Sequence, residues 1–286
     1  MKIAMIELTG KCPRACPTCL PKHLKTGREM MWAEIMNIGI QLEVAGFTGV
    51  TFAGFGEPAT HPAVEKAIMH FQVLGMKVQV VCRPENMYLV TQADILRVSV
   101  QSAKDADLVL IKASDFAMVS SSEKDIRVHV VLENKSVPEL GGIFDMLVPW
   151  LGCRIKEISV APPLVLCDDP AHREIIRKAN DFMMSTWKGL RVSIPNRCLE
   201  KAKLVRLFNP EPFIDKCGFF KGMIYIDSNL KIRPCCHQPL GLELGDLNKQ
   251  SVCQVLASDV WKNWQATGKK SAACQRCPDL GVSRDG

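Results

Sequence analysis

The 286-residue sequence contains no run approaching the roughly 20 consecutive apolar residues that span a bilayer. Its first residues, MKIAMIELTGKC, are apolar too briefly and turn polar too soon for a secretory signal, so the expectation is a cytoplasmic protein without a membrane partner. Internal repeats, low-complexity segments and nicotinamide or flavin motifs are also missing. With 47% hydrophobic and 23% charged residues the chain suits one large core plus a smaller module, which excludes disorder, collagen-like repeats and disulfide-stapled miniproteins. The formal charge of +6 is a modest excess that suits anionic ligands but does not by itself argue for nucleic acid. What the sequence has in abundance is cysteine. Thirteen thiols in a reducing compartment point to metal or redox chemistry before disulfides, and metal-bound thiolates would cancel part of the positive charge.

The first half reads as alternating strands and helices. Residues 2–8 (KIAMIEL) form a short apolar run that ends at Thr9-Gly10 and predicts a buried strand. A helix over 30–45 closed by Gly46, a strand over 49–53, a helix over 61–74 and a strand over 77–82 follow. The pattern continues with a helix over 91–99 and strands over 107–113 (DLVLIKA) and 127–132. A helix over 137–151 and a sixth strand over 157–161 complete it. Such alternation implies right-handed crossovers and a parallel sheet covered by helices, either open and doubly wound or an incomplete barrel. In both designs ligands sit beyond the carboxyl ends of the strands.

Cys12, Cys16 and Cys19 lie directly after the first strand in TGKCPRACPTCL, spaced C-x3-C-x2-C. Three close thiolates can hold three irons of a 4Fe-4S cluster and leave the fourth iron open for a chelating ligand. A closed zinc site would need a fourth ligand, for which His23 is the nearby candidate. The loop resembles the signature of the radical S-adenosylmethionine (radical SAM) superfamily. Gly54-Phe55-Gly56-Glu57-Pro58, immediately after the second strand, resembles that family's glycine-glycine-glutamate segment, which receives the amino group of the cofactor's methionine. On its own the string would read as a tight turn. The loop departs from the family at Thr18, where an aromatic residue usually packs near the adenine. The resemblance therefore leaves adenine to other groups, such as backbone near Val160 and Ala161. Lys112, Ser114, Glu133 and Asn134, expected at the ends of the fourth and fifth strands, are candidates to contact ribose, carboxylate or substrate.

A second cysteine set, Cys217, Cys235, Cys274 and Cys277, combines a predicted hairpin around Asp227-Ser228-Asn229-Leu230 with a terminal C-x2-C. The spacing is workable for four-thiolate ligation, and a zinc ribbon would satisfy it equally. Ser251 is placed to cap a last helix that carries Trp261 and Trp264. This module is poor in apolar residues and would gain stability from a metal centre. Beside the radical SAM loop, IYIDSNLKIRPCCH and the following helix resemble the Twitch domain, the short form of the SPASM domain, which implies one auxiliary 4Fe-4S cluster. Cys82, Cys153, Cys167, Cys198, Cys236 and Cys253 remain without a further C-x2-C. Cys236 is an alternative to Cys235, and Leu230 stands where the family usually has glycine.

The implied fold is α/β: a partial (β/α)6 barrel over residues 1–195, with a small hairpin-plus-helix cluster domain over 196–286. The resemblance implies cleavage of S-adenosylmethionine to a 5'-deoxyadenosyl radical that removes hydrogen from an unactivated carbon. An electron donor such as flavodoxin or ferredoxin is implied as well. The module combination is similar to dehydrogenases that oxidise a small-molecule alcohol with the auxiliary cluster as electron acceptor. Peptide-modifying enzymes share the modules, and the lack of an evident N-terminal leader-recognition extension weighs slightly against them. Radical rearrangement or modification of a nucleotide or nucleic-acid base is a further enzyme reading. The basic clusters Lys22, His23, Lys25, Arg28 and Lys201, Lys203, Arg206 more simply read as solvated faces. An iron-sulfur electron carrier is the non-enzyme alternative, but a carrier needs neither an open iron nor GFGEP.

Overall fold

The computed structural model describes residues 2–14, 16, 27–119, 124–131, 136–151, 154–161, 203–205, 222–236 and 242–267. Strands β1 (Ile3–Ile6), β2 (Gly49–Phe52), β3 (Lys77–Cys82), β4 (Ile95–Val100), β5 (Asp125–Val131), β6 (Ile155–Ala161) and β7 (Lys203–Val205) follow one another in parallel across one sheet. Helices α1 (Trp32–Val44), α2 (Val64–Val73), α3 (Ala103–Val119) and α4 (Ser136–Leu147) lie in the connections. The period of two in the strands explains the layering. Val78, Val80 and Cys82, Leu96, Val98 and Val100, and Ile126, Val128 and Val130 are buried in a core shared with Ile38, Ile68, Val109 and Phe144 of the helices. The alternate positions Gln79, Arg97, Arg127 and His129 line the other face, where Arg97 and Arg127 both reach Glu157. The concave side of the partial barrel is therefore polar and charged.

Two expectations are corrected here. Residues expected as a helix over 91–99 contain the start of β4, because Leu96, Val98 and Val100 alternate with Arg97 and Ser99. Residues 107–113, expected as the fourth strand, lie inside α3. There Ala106, Val109 and Ala113 recur on one buried face at helical spacing. Ser102 Oγ accepts from the Asp105 N–H, and the Asp105 carboxylate accepts from the Gln101 N–H, so a local cap starts this helix. A short apolar run is compatible with either element, and the cap decides.

The hairpin of β8 (Ile224–Ile226) and β9 (Lys231–Arg233) extends the same sheet: β8 pairs in parallel with β1, matching Ala4 to Ile224 and Ile6 to Ile226. A short β10 (Gly245–Asp246) pairs antiparallel to β9. Leu230 closes the hairpin turn at φ 65°, a left-handed conformation that favours glycine. Asp227 Oδ1 accepts from the Asn229 and Lys231 N–H groups, and the Leu230 side chain is buried, which together offset the strained backbone. Ser251 caps α5 (Val252–Ala257) through a reciprocal bond with Gln254. In α6 (Asp259–Thr267) Trp261 and Trp264 are buried. The Val252 N–H donates to Gln41 Oε1 at 2.8 Å, which ties α5 to α1. Among the described residues no helix is long and apolar enough to cross a membrane.

Candidate cofactor and cluster site

Glu57 follows β2 at the carboxyl edge of the sheet and is 5% exposed. Its N–H donates to Lys11 O at 2.9 Å, which ties the GFGEP turn to the segment leaving β1. Its Oε1 accepts from the Arg83 N–H at 3.4 Å, and the Asn86 side chain supplies another hydrogen bond. Burial pushes its carboxyl up to about 7, against weaker lowering by Asn86, the Arg83 N–H and the Arg83 charge. A desolvated carboxylate with these few neutral donors and one nearby cation among the described residues is suited to an ammonium ligand, so the residues present fit the amino group of S-adenosylmethionine.

The glycines of GFGEP serve packing within the chain. A Cβ on Gly56 would lie 1.8 Å from Thr9 O, and one on Gly54, at φ 144°, would lie 2.6 Å from Glu7 Oε2. Both spaces are filled by residues at the end of β1, so the glycines let the two cofactor segments interlock.

Cys12 and Cys16 are both half-buried beyond β1. The Arg83 guanidinium donates to Cys16 Sγ at 2.7 Å, and Cys16 Sγ lies 3.5 Å from Gln101 Oε1. Arg83 Nη1 is buried with no hydrogen-bond partner among the described residues. Between the cysteines, Arg14 makes two 2.9 Å bonds to the Glu85 carboxylate and reaches Asp105 Oδ1 at 3.4 Å. The cysteine loop is thus clamped to the 3-10 helix Pro84–Val90 and to the start of α3. A guanidinium that bonds a cysteine and keeps one donor free at the mouth of the barrel suits thiolate and anionic ligands.

Other sequence candidates fall differently. Lys112 and Ser114 are on α3 and not at a strand end. Lys112 Nζ donates to Glu85 O at 2.7 Å and sits 4.4 Å from the centre of the Tyr88 ring, so it braces the 3-10 helix behind the site. Val160 is in β6 opposite Val130, at the strand's carboxyl end as expected. Cys19, Glu133, Asn134, Cys217, Cys274 and Cys277 lie outside the described residues. Cys235 and Cys236 follow β9 and are both half-buried. Arg28, read as part of a solvated basic face, is instead half-buried and bonds Glu34 and the Ser228 carbonyl. No group of three metal-binding side chains assembles among the described residues.

Sequence reasoning missed Arg14, Arg83 and Glu7. Glu7, at the end of β1, is 2% exposed. Its Oε2 accepts from the Phe55 N–H at 2.8 Å and from Tyr225 OH at 2.9 Å, while Oε1 accepts from Ser228 Oγ at 2.8 Å and the Ser228 N–H at 3.5 Å. The available signal was a carboxylate interrupting the apolar run IAMIEL.

A cysteine loop leaving the first strand and a buried carboxylate after the second thus come together on a partial parallel barrel. Residues 217–278 match the SPASM family, an iron-sulfur cluster-binding domain. A "PqqA peptide cyclase" of Xanthomonas oryzae pv. oryzae is 24% identical over 310 residues, covering 96% of this chain and 79% of that protein. The fold is shared with Streptococcus suis SuiB bound to precursor peptide SuiA (TM-score 0.63, 16% identity, 99% of this chain and 71% of that one). It is also shared with anSMEcpe bound to AdoMet and the Kp18Cys peptide (TM-score 0.66, 9% identity, 99% and 91%). The matched iron-sulfur domain, the similar cyclase and the shared fold accord with the resemblance of the cysteine loop and GFGEP to radical SAM enzymes that carry a SPASM-type domain.

Proposed function

We propose that this enzyme modifies a peptide. The observation that carries the reading is the likeness to a peptide cyclase along 96% of the chain. It favours a peptide over the small-molecule alcohol expected first. Held by the first cysteine loop and reduced, a 4Fe-4S cluster would supply the electron for reductive cleavage of S-adenosylmethionine, the chemistry that allows hydrogen removal from an unactivated carbon.

The chain's own residues bind and orient. Cys12, Cys16 and Cys19 hold the first cluster, clamped by Arg14. Glu57 receives the methionine ammonium, with Gly54, Gly56 and Pro58 shaping its turn, and Arg83 offers a buried cation to the carboxylate. Backbone near Val160 serves the adenine, and Lys112 braces the turn that carries Asn86. Cys217, Cys274 and Cys277, with Cys235 or Cys236, hold one auxiliary cluster in a domain beginning near residue 196. A flavodoxin or ferredoxin supplies electrons, and a reducing cytoplasm suits the thirteen cysteines.

The test is incubation of the anaerobically reconstituted enzyme with S-adenosylmethionine, a reductant and short peptides encoded beside its gene, followed by mass spectrometry. The expected result is 5'-deoxyadenosine together with a peptide whose mass has changed at a carbon-linked position. Turnover of a small alcohol with every peptide left intact would return the enzyme to the dehydrogenase reading.

A further inference from the structure

The Glu7 carboxylate is buried among four donors from two separate parts of the chain. One oxygen is shared by the Phe55 N–H of the cofactor turn and the Tyr225 hydroxyl of β8. The other is held by Ser228, in the turn that leads to β9 and on to Cys235 and Cys236. Tyr225 is fully buried and its phenol is pushed well above its ordinary range by burial and by the neighbouring carboxylate, so it stays a donor. Gly54 lacks a side chain where the Glu7 carboxylate lies. An apolar residue would satisfy a strand at this depth, and a buried carboxylate there is costly unless every donor stays in place.

We propose that Glu7 is a positioning residue that couples the S-adenosylmethionine turn to the hairpin of the cluster-binding domain. Because Phe55 and Tyr225 share one oxygen, an alteration on the hairpin side changes how firmly the cofactor turn is held. The proposal rests on reading GFGEP as the cofactor segment. Its consequence is that the side chains of Tyr225 and Ser228 tune cofactor affinity through the Glu7 carboxylate, beyond the backbone pairing of β8 with β1.

The experiment measures S-adenosylmethionine dissociation constants by equilibrium dialysis against the reconstituted protein, with iron content as the check on folding. Glu7→Gln, Tyr225→Phe and Ser228→Ala are compared singly, and Tyr225→Phe is combined with Glu7→Gln. The expected result is that each single variant keeps its iron and binds the cofactor about three- to tenfold more weakly, in keeping with one lost hydrogen bond. The double variant should be no weaker than Glu7→Gln alone. Wild-type affinity in both Tyr225→Phe and Ser228→Ala, or losses that simply multiply in the double variant, would overturn the coupling. If Glu7→Gln loses its iron, the two hairpin variants decide the matter alone. Glu57→Gln is the control for the underlying reading. If it binds as the wild type does, GFGEP is not the cofactor segment. If it binds weakly while the hairpin variants bind normally, the segment stands and the coupling falls.

Discussion

Glu57 shows how one buried side chain can set the pH response of cofactor binding. Its carboxyl, pushed up to about 7 chiefly by burial, has Arg83, Glu85 and the Cys82 thiol as charged or titratable neighbours. Below that pH the neutral acid dominates, and only the ionised form pairs with an ammonium. Affinity for S-adenosylmethionine should therefore rise with pH through about 7, approaching a tenfold loss per pH unit on the acid side. Equilibrium binding between about pH 6 and pH 8 checks this. Glu57→Gln should bind more weakly at the upper end, since a charge-assisted bond is roughly twice as strong as a neutral one, and should flatten the profile. Unchanged affinity in a folded variant would reduce GFGEP to a structural turn. Without cofactor the sign reverses. A carboxyl raised on folding contributes stability that is fully present below its unfolded value and lost as pH rises through about 7.

At the scale of elements, the interlock between the end of β1 and the GFGEP turn separates packing from binding. Gly56→Ala would place a methyl against the Thr9 carbonyl, where backbone has no side-chain freedom to yield. The expected cost is about 1–3 kcal/mol, the range for overpacking, together with weaker cofactor binding because the turn is displaced. Phe71→Ala, in α2 beneath the sheet and edge-on to Phe52 at 5.5 Å between ring centres, should cost about 3–5 kcal/mol and leave affinity of the folded fraction intact. Chemical denaturation and dialysis on the same two variants distinguish these outcomes. Equal effects on affinity would mean that the turn responds to general destabilisation and not to its own geometry.

For the whole molecule, two four-iron clusters predict about eight irons per reconstituted chain. Replacing Cys12, Cys16 and Cys19 by alanine should leave about four, and replacing Cys274 and Cys277 should remove the others. Zinc in the C-terminal set would refute one auxiliary iron-sulfur cluster. Because β8 joins the barrel sheet at β1, loss of the auxiliary site should also be felt by the barrel. If the auxiliary cluster accepts the substrate electron, a folded Cys235→Ala variant should still make 5'-deoxyadenosine but no oxidised product. If it is a staple, stability and both products should fall together. Net redox neutrality in the wild type would favour rearrangement.

What the sequence determined by itself was local. The C-x3-C-x2-C spacing, GFGEP and the Ser251 cap are contiguous strings legible without tertiary contacts, and most of the alternating elements follow from hydrophobic period. DLVLIKA was misread because an apolar run of seven residues fits a strand or a buried helix face, and its Ser102–Asp105 cap was overlooked. Only the tertiary structure decided that Lys112 is a brace, that Arg83 meets Cys16 across 67 residues, and that Glu7 meets Tyr225 across 218. No periodicity reports such pairs, because they depend on which strands lie side by side. That adjacency is fixed by burying the whole apolar face of the sheet, and the polar partners follow from it.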